Sequence, residues 1–397
     1  MQQLSERVKS LSESETLKMA KLSRELSAKG IDIINLNLGE PDFDTPANIK
    51  DAAKKAIDDN YSHYTPVAGF PDLRKAISGK FKQENNLDFP PEQIVVSTGA
   101  KQSIANVILS VINPGDEVIV PVPYWVSYKD MIRLAGGIPV FLKTQVEEDF
   151  KISPEQIEKA ITAKTRMFLF SSPCNPTGTV YSKSELEKLA AVFALHEKIC
   201  IVSDEIYEHI IFTGKHESIA QFQALKDRTV VVNGLSKSFA MTGWRIGYIG
   251  GPKWITDACE KIQGQITSGT SSISQRAALT ALTGNLDAPM KMKAAFLKRR
   301  DLLLRLFTEI PHVKFNVPDG AFYLFPDVSY YFGKSDGTHK IENSTDFAMY
   351  MLHQANVSIV SGDAFGDDRC VRISFAASEE KITEAVNRMK KVLSKLN

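Results

Sequence analysis

Cysteine is scarce in this chain of 397 residues, and its four copies stand far apart, at Cys174, Cys200, Cys259 and Cys370. None of them forms a CxxC pair or another spacing that is typical of metal ligands. The pattern therefore argues against a disulfide framework and against a zinc site. Four scattered thiols fit a reducing compartment, and we expect a cytoplasmic protein.

Long apolar runs and an excess of either charge are lacking as well. The stretch MQQLSERVKSLSESETLKMAKLS is amphipathic and mixes acids with bases, unlike a signal peptide or a membrane span. Lysine and arginine number 48 against 47 aspartates and glutamates, which leaves a formal charge of +1. This balance gives no reason to expect a nucleic acid or a membrane surface as a partner.

What the sequence does contain is an alternation of short apolar runs with longer segments of helical periodicity. Because the runs are apolar on both faces, they predict a mostly parallel sheet wrapped by helices, an α/β architecture. Between two of them, SKSELEKLAAVFALHEK begins with Ser182 and Glu185 in capping-box spacing, which predicts a crossover helix. The runs are EQIVVSTG, DEVIVPVP, TRMFLFSSP, KICIVSDE, RTVVVNG and RIGYIGG.

The pattern changes from about Asp287 onward. A long charged helix, MKMKAAFLKRRDLLLRLF, precedes three strand-like segments, VKFNVPDGAFYLFPDV, VSIVSG and RCVRISFAAS, and a closing helix, EKITEAVNRMKKVLSKLN. This order predicts a smaller α+β domain beside the large one. A chain of this length also exceeds what a single core usually serves.

One lysine stands out chemically. Lys237 lies between two serines in NGLSKSFAMTGWRIGY, with Arg245 a short way downstream. A lysine of ordinary pKa, about 10.4, is protonated and poorly nucleophilic at neutral pH, so a functional one needs a perturbing site or an aldehyde-bearing cofactor. Pyridoxal phosphate is such a cofactor. It also requires a phosphate cradle, a carboxylate at its ring nitrogen and donors to its ring oxygen.

Candidates for the phosphate cradle surround a predicted helix start. The strand VVS ends at Thr98-Gly99-Ala100-Lys101 and continues into QSIANVILSVI, which presents backbone N–H groups suited to an anion. Ser236 and Arg245 flank the lysine and offer a hydroxyl and a forked cation to the same group.

Candidates for the ring contacts follow two other predicted strands. Asp204, after CIVS, lies where open α/β sheets bind ligands and is suited to the ring nitrogen; alternatively, it caps the segment EIYEH. Tyr207 and Asn175, the latter in the proline-rich turn SSPCNPTG, are candidate donors to the ring oxygen.

Together, SKSFAMTGWRIGY, SSPCNPTG, SDEIYEH, NLGEPDFDTP and PYWVSY resemble the class I (fold type I) pyridoxal-phosphate aminotransferases, and among them the bacterial aspartate aminotransferases. The likeness runs from NLGEPDF to VRISFAAS. It implies a cytoplasmic homodimer whose active site lies across the subunit interface. It also implies a large cofactor-binding domain of residues 46–289 and a small domain formed by residues 1–45 and 290–397.

Residue roles follow from this resemblance. Lys237 forms the internal aldimine, and Trp125 stacks on the cofactor ring. Arg372 binds the substrate α-carboxylate, with Gly39, Trp125 and Asn175 beside it. The remaining cofactor contacts are the ring partners Asp204, Asn175 and Tyr207, the phosphate ligands Gly99, Ala100, Ser236 and Arg245, and Tyr64, which reaches the phosphate of the neighbouring subunit.

The expected reaction moves the amino group of aspartate to 2-oxoglutarate by ping-pong kinetics. Lys101, Ser14 and Thr16 are candidate partners of the distal carboxylate. Some relatives that use prephenate carry a lysine near the N-terminus, where this chain has Ser12, which makes prephenate the less favoured substrate. The alternatives are an aromatic or alanine aminotransferase, a pyridoxal-phosphate-dependent carbon–sulfur lyase or synthase, and a regulatory protein that retains only the fold.

Each candidate also has an ordinary structural interpretation. Arg245 and Arg372 are otherwise surface ion pairs, and Trp125 and Tyr64 are otherwise packing residues. Gly39 serves a turn before Pro41, Thr16 caps a helix, and the seven histidines are hydrogen-bonded structural residues.

Overall fold

The computed structural model describes residues 4–9, 11 and 15–397. Its α-helices are α1 Glu6–Lys9, α2 Glu15–Ala28, α3 Ala47–Asp58, α4 Pro71–Asn85, α5 Ala100–Val111, α6 Ser127–Leu134, α7 Pro154–Ala160, α8 Lys183–Ala194, α9 Lys253–Ile266, α10 Ser272–Thr283, α11 Asp287–Phe307, α12 Ser344–Tyr350 and α13 Glu379–Leu393. Its strands are β1 Ile34–Asn35, β2 Ile94–Ser97, β3 Glu117–Val122, β4 Ile138–Lys143, β5 Thr165–Ser171, β6 Cys200–Asp204, β7 Thr229–Gly234, β8 Gly247–Gly250, β9 Tyr323–Leu324, β10 Val357–Ser358, β11 Val360–Ser361 and β12 Val371–Ser374. None of these helices is long and apolar enough to cross a membrane.

The central sheet has seven strands in the order β2-β8-β7-β6-β5-β3-β4. All pairings are parallel except those of β8, which runs antiparallel to both of its neighbours. The six predicted strands and the α/β architecture are confirmed. The sequence prediction missed β4, whose segment IPVFLK is half-exposed because it forms one edge of the sheet.

The predicted crossover helix is α8, and it begins as its capping box requires. The amide of Glu185 donates to Ser182 Oγ (3.3 Å), and the amide of Ser182 donates to Glu185 Oε2 (2.7 Å). Leu186, Leu189 and Phe193 on the inner face of α8 are buried in the same core cluster as the β5 side chains. Burying each such side chain contributes about 1.5–3 kcal/mol, which holds the helix on the sheet.

The two ends of the chain meet in a second region. Strand β1 pairs in parallel with β10, and β11, β12 and β9 form a separate antiparallel sheet. Residues of α11 and α13 share one buried core with residues of β1, β9, β10 and β12. The predicted α+β region with its long first helix and closing helix is therefore present. The strand expected over residues 313–328 shortens to β9 and three isolated bridges, which join Lys314 to Asp327, Gly320 to Ile211 and Asp327 to Cys370.

The fold brings the chemically interesting segments to one edge. β2, β3, β5, β6 and β7 point the same way, so the loops at their carboxyl ends lie side by side, as is usual for ligand sites in open α/β sheets. β12 and the segment after β1 approach this edge from the second region, where the amide of Ser374 donates to the carbonyl of Leu36 (2.8 Å). Gly39, in the segment after β1, and Arg372, in β12, thereby reach the same cavity as the loops of the sheet.

Candidate active site

A cavity of about 400 Å³ lies at this edge. It collects most of the residues that the sequence singled out, from segments spread over more than 350 positions. The predicted residues that line it are Thr16, Gly39, Ala100, Lys101, Trp125, Asn175, Asp204, Tyr207, Ser236, Lys237, Arg245 and Arg372. Residues that line it without having been predicted are Leu17, Val126, Ser127, Ser171, Ile206, Thr242 and Tyr323.

Lys237 projects into the cavity from the turn that follows β7. Its Nζ donates to the carbonyl oxygen of Gly39 (2.5 Å). Burial lowers the pKa of Lys237 to about 8; the charge of Glu40 opposes this shift, and the cations Arg372 and Arg245 reinforce it. The amine is therefore far closer to its free-base form at neutral pH than an ordinary lysine, as a nucleophile or base requires.

Asp204 is the last residue of β6 and is 5% exposed. Its Oδ2 accepts a hydrogen bond from the Tyr128 hydroxyl (2.7 Å), and its Oδ1 accepts from the amide of Ile206 (3.3 Å). Burial raises the pKa of Asp204 to about 6, although the Tyr128 hydrogen bond favours the carboxylate. The local capping contact thus accounts for Oδ1 only. The carboxylate has no cationic partner among the described residues.

Tyr207 and Tyr323 form a buried pair in the wall of the cavity. Their hydroxyl oxygens are 2.7 Å apart, and burial raises the pKa of Tyr207 well above its ordinary value. Sequence reasoning missed Tyr323, which lies in the predicted strand GAFYLF. Strand alternation identifies a buried face there but gives no sign that the hydroxyl reaches the Tyr207 loop.

Arg372 is buried in β12 beside the cavity. Its Nη1 donates to Asn175 Oδ1 (3.0 Å), and its Nη2 donates to the carbonyl of Asn37 (2.7 Å). The guanidinium carbon lies 4.6 Å from the ring centre of Tyr323 and 4.9 Å from that of Phe365. Its Nε has no hydrogen-bond partner, and no acidic side chain pairs with it, among the described residues. A buried cation without a counter-ion is costly, so this site suits an anionic ligand better than a structural ion pair.

Gly39 is required by close packing rather than by a turn. A Cβ at this position would lie 2.8 Å from Tyr323 Oη, and 3.8 Å from Arg372 Nη1. Any larger residue would therefore push on the groups that surround the guanidinium. The Gly39 carbonyl, in turn, is the acceptor that Lys237 contacts.

The loop after β2 forms the predicted anion cradle. Gly99 adopts a left-handed φ of +82° and precedes α5, whose first two amides, those of Ala100 and Lys101, have no intrahelical acceptor and are available to an anion. A Cβ at Gly99 would collide with Nη2 of Arg245. Arg245 is fixed by a hydrogen bond from Nη1 to the carbonyl of Thr242 (2.8 Å), and Ser236 lines the same cavity.

The cavity mouth carries Trp125, Lys101 and Thr16. Lys101 Nζ lies 5.0 Å from the Trp125 ring centre, and partial burial together with the charge of Arg245 lowers the pKa of Lys101. Thr16 lies within α2, and its hydroxyl is buried without a partner among the described residues. Ser14 and Ser12 lie outside the described residues.

Tyr64 is a predicted residue that does not line the cavity. Its side chain is 96% exposed in the single chain, on the loop between α3 and α4. Within one copy of the protein, the Tyr64 side chain is left facing solvent.

A group of charged and histidine side chains, which we call the rear ionic cluster, lies behind the segment that follows β6. Lys80 pairs with Glu208, and His216 Nε2 contacts Glu205 Oε2 (2.7 Å). His209 bridges to the loop of Lys237 by a contact between its Nδ1 and Ser238 Oγ (2.9 Å). The histidines of this region are thus hydrogen-bonded, as the sequence interpretation had them. The cluster consists of Lys80, Glu84, Glu205, Glu208, His209 and His216.

Comparison with known proteins agrees with this geometry. The chain matches the family described as "Aminotransferase class I and II" over residues 31–389. It is 50% identical over 397 residues to a bifunctional aspartate aminotransferase and glutamate/aspartate-prephenate aminotransferase of Petunia hybrida, covering 98% of this chain and 82% of that protein. It is 47% identical over 395 residues to the aspartate/prephenate aminotransferase of Nitrosomonas europaea, covering 98% of this chain and 100% of that protein.

Among solved structures, the chain is similar to aspartate aminotransferases. The aspartate aminotransferase of Rhizobium meliloti superposes with a TM-score of 0.96 at 40% identity, over 100% of both chains. The aspartate aminotransferase of Thermus thermophilus with maleate superposes with a TM-score of 0.92 at 41% identity, over 99% of this chain and 100% of that one.

Proposed function

This chain belongs to the class I and II aminotransferase family, and on that premise we propose that it moves the amino group of L-aspartate to 2-oxoglutarate, giving oxaloacetate and L-glutamate. Membership makes it a pyridoxal-phosphate-dependent transaminase. One observation carries the proposal: the buried Arg372 guanidinium, without an acidic partner among the described residues, lines the same cavity as the Lys237 amine.

The chemistry of the cavity fits pyridoxal phosphate. The unpaired amides in the first turn of α5 and the Arg245 guanidinium suit a phosphate, and the buried Asp204 carboxylate suits a protonated ring nitrogen. When bound, the cofactor supplies an aldehyde and an electron sink. The residues we assign to holding it are Gly99, Ala100, Ser236 and Arg245 at the phosphate, Asp204, Asn175 and Tyr207 at the ring edge, and Trp125 on the ring face.

Lys237 is the residue to which we assign proton transfer. With a pKa of about 8, its Nζ can take the proton from the substrate α-carbon and return it without a large energetic mismatch. The Gly39 carbonyl holds this nitrogen at the cavity floor. Because amino donor and keto-acid acceptor use the same cavity in turn, we expect ping-pong kinetics.

Substrate selection is assigned to the two ends of the cavity. Arg372 binds the α-carboxylate through a planar forked cation that lysine would not reproduce. Lys101 and the unpartnered hydroxyl of Thr16 face the distal carboxylate, with Ser14 as a third candidate. The maleate in the Thermus thermophilus structure is a dicarboxylate, which supports a site of this kind.

Prephenate is a second candidate substrate, because the Petunia hybrida and Nitrosomonas europaea relatives are named for it. Against it stands Ser12, where we expect prephenate-using relatives to carry a lysine. The two substrates differ in what they place at the cavity mouth. Aspartate offers a short distal carboxylate to Lys101, whereas prephenate offers a bulky ring with its carboxylate farther out.

The test is a comparison of kcat/KM for aspartate, phenylalanine, alanine and glutamate as donors, and for 2-oxoglutarate, oxaloacetate and prephenate as acceptors. We expect the dicarboxylic pairs to be fastest. Lys101→Met should lower kcat/KM for aspartate about tenfold or more while sparing alanine, since it removes one charge-assisted hydrogen bond. A poor value for aspartate in the wild-type enzyme would refute the substrate assignment. Release of ammonia or a thiol would indicate a lyase instead.

We also propose that the protein is a cytoplasmic homodimer in which Tyr64 of each copy contacts the cofactor phosphate of the other. The 96% exposure of Tyr64 in the single chain leaves this side chain available for such a contact and supports this arrangement. Pairing of β1 with β10 supports a small domain of residues 1–45 and 290–397 that closes over substrate on a large domain of residues 46–289. Light scattering, with cofactor retention measured in Tyr64→Ala, tests the dimer; a monomer that keeps its cofactor would contradict it.

A further inference from the structure

Tyr128 is a buried side chain that contacts two of the cofactor-facing residues without lining the cavity itself. It lies in α6 and is 1% exposed. Its hydroxyl donates to Asp204 Oδ2 (2.7 Å), and its ring meets the Trp125 ring edge-on, with 5.5 Å between ring centres and an interplanar angle of 86°. A single side chain therefore holds both the carboxylate proposed for the ring nitrogen and the indole proposed for the ring face.

Asp204 depends on this contact more than a solvated carboxylate would. Its other hydrogen bond, from the amide of Ile206, is long at 3.3 Å, and no cationic side chain pairs with it among the described residues. Burial and the nearby carboxylate raise the pKa of the Tyr128 phenol well above its ordinary value, so the hydroxyl keeps the proton that it donates to Asp204. A hydrogen bond to a buried anion is also among the stronger kinds.

We infer that Tyr128 is a positioning residue, which keeps the Asp204 carboxylate ionised and aimed at the cofactor ring nitrogen while fixing the Trp125 indole. This inference rests on the proposed function, because it takes Asp204 as the partner of that nitrogen. Without the donor, the carboxylate becomes more basic. The shared proton then moves from the ring nitrogen toward Asp204, and the cofactor becomes a poorer electron sink.

Packing alone is the competing explanation, since the Tyr128 ring also belongs to the core cluster beneath β3 and β5. Tyr128→Phe separates the two, because it keeps the ring and removes only the hydroxyl. The matched control is Tyr331→Phe. Tyr331 is also buried, at 4% exposed, and its hydroxyl donates to the carbonyl of Pro311 (3.0 Å), outside the cavity.

The experiment loads each holoenzyme with cofactor labelled with nitrogen-15 in the ring and measures the ring-nitrogen chemical shift. We expect a protonated value in the wild type and in Tyr331→Phe, and a shift toward the unprotonated value in Tyr128→Phe. Cofactor should also dissociate about tenfold more readily from Tyr128→Phe, and the half-reaction rate should fall while KM for the amino acid stays unchanged.

The possible outcomes separate the inference from the function on which it rests. A Tyr128→Phe shift equal to that of the wild type would overturn the inference and leave the transaminase proposal standing. An unprotonated ring nitrogen in the wild type would refute the Asp204 assignment itself. If Tyr128→Phe does not fold, fluorotyrosine at position 128 is the second test. Its more acidic hydroxyl should weaken Asp204 as an acceptor and move the ring N–H proton resonance upfield, and an unchanged resonance would overturn the inference.

Discussion

The end of β6 and the segment that follows it carry buried carboxylates on two sides, and in the part of the chain that the structure describes only those on one side have cationic partners. Asp204 faces the cavity, with hydroxyl and amide donors but no cationic partner among the described residues. Glu205 and Glu208 face the rear ionic cluster, where Ser218 Oγ donates to Glu205 (2.6 Å) and Lys80 pairs with Glu208. The protein neutralises its charges on the rear side and leaves the cavity-side charge for a ligand.

The pKa values of Asp204 and Glu208 are shifted in opposite directions, as this difference in partners requires. Burial raises the pKa of Asp204 to about 6. Burial would also raise the pKa of Glu208, but Lys80, His209 and His216 outweigh it and lower that pKa to about 2. Depth of burial is similar at both residues, so the difference lies in the partners. Strong burial alone therefore does not identify a functional carboxylate, whereas burial without a counter-ion does.

Substitutions of one lysine in the cavity, Lys237, and one in the rear ionic cluster, Lys80, should have the largest effects. Lys237→Ala should reduce transamination by at least about 10³- to 10⁴-fold, because it removes the proposed base. The cofactor-free protein should be no less stable, since a desolvated amine is lost. Steady-state kinetics and urea unfolding measure the two effects, with Lys253→Ala, which changes only an exposed ion pair with Asp257, as the control. Retained turnover in Lys237→Ala would refute the role of this lysine.

Lys80→Met should lower stability and leave turnover unchanged, the reverse of what we expect for Lys237→Ala. It leaves Glu208 buried without its main cation, which typically costs about 3–5 kcal/mol of unfolding free energy. The enzyme that remains folded should turn over at the wild-type rate. Adding Glu208→Gln should recover part of the lost stability, because the unpaired charge is then removed. If Lys80→Met abolished turnover but not stability, the rear ionic cluster would belong to the active site and the comparison would fail.

Acid titration of the cofactor-free protein should separate the two carboxylates. The folded pKa of Glu208, about 2, lies below its ordinary 4.5, so its stabilisation is complete above pH 4.5 and is lost toward pH 2. The folded pKa of Asp204, about 6, lies above its ordinary 3.8, so its penalty develops between these values as pH rises. Each pKa unit corresponds to about 1.4 kcal/mol.

Free energies of unfolding measured from pH 2 to 7 test whether Glu208 and Asp204 affect stability in these opposite directions. Glu208→Gln should flatten the acid-side loss, and Asp204→Asn should remove the decline between about pH 4 and pH 6. Parallel curves for wild type and both variants would contradict the comparison.

The smallest expected effect concerns Gly39. Gly39→Ala places a Cβ 2.8 Å from the Tyr323 hydroxyl, which must shift against Arg372. We expect KM for aspartate to rise about tenfold, equivalent to about 1.4 kcal/mol, with little change in kcat. Combining it with Tyr323→Phe removes the clashing oxygen and should restore part of the affinity. If Gly39→Ala binds aspartate normally, the close packing around Arg372 does not constrain the substrate site.

Much of the candidate site could be predicted from local sequence, because its residues lie at the ends of strands and in the loops that follow them. The apolar runs fixed where β2, β5, β6 and β7 stop, and parallel pairing forces their following loops to one edge. For this reason Asp204, Asn175 and Lys237 could be predicted to lie at one edge, where they line the same cavity. β4 was missed because an edge strand lacks the doubly apolar pattern of its buried neighbours.

The sequence by itself thus determined the strand ends, the cofactor chemistry of their loops and the family. Only the tertiary structure decided which groups satisfy or constrain those residues: Tyr128 on Asp204, Tyr323 on Tyr207, and the Asn37 carbonyl on Arg372. Each of these contacts joins segments separated by 76 to 335 positions. Hydropathy and spacing report the local backbone, whereas a hydrogen bond between distant segments depends on how whole elements pack, and that packing places the partners of the site.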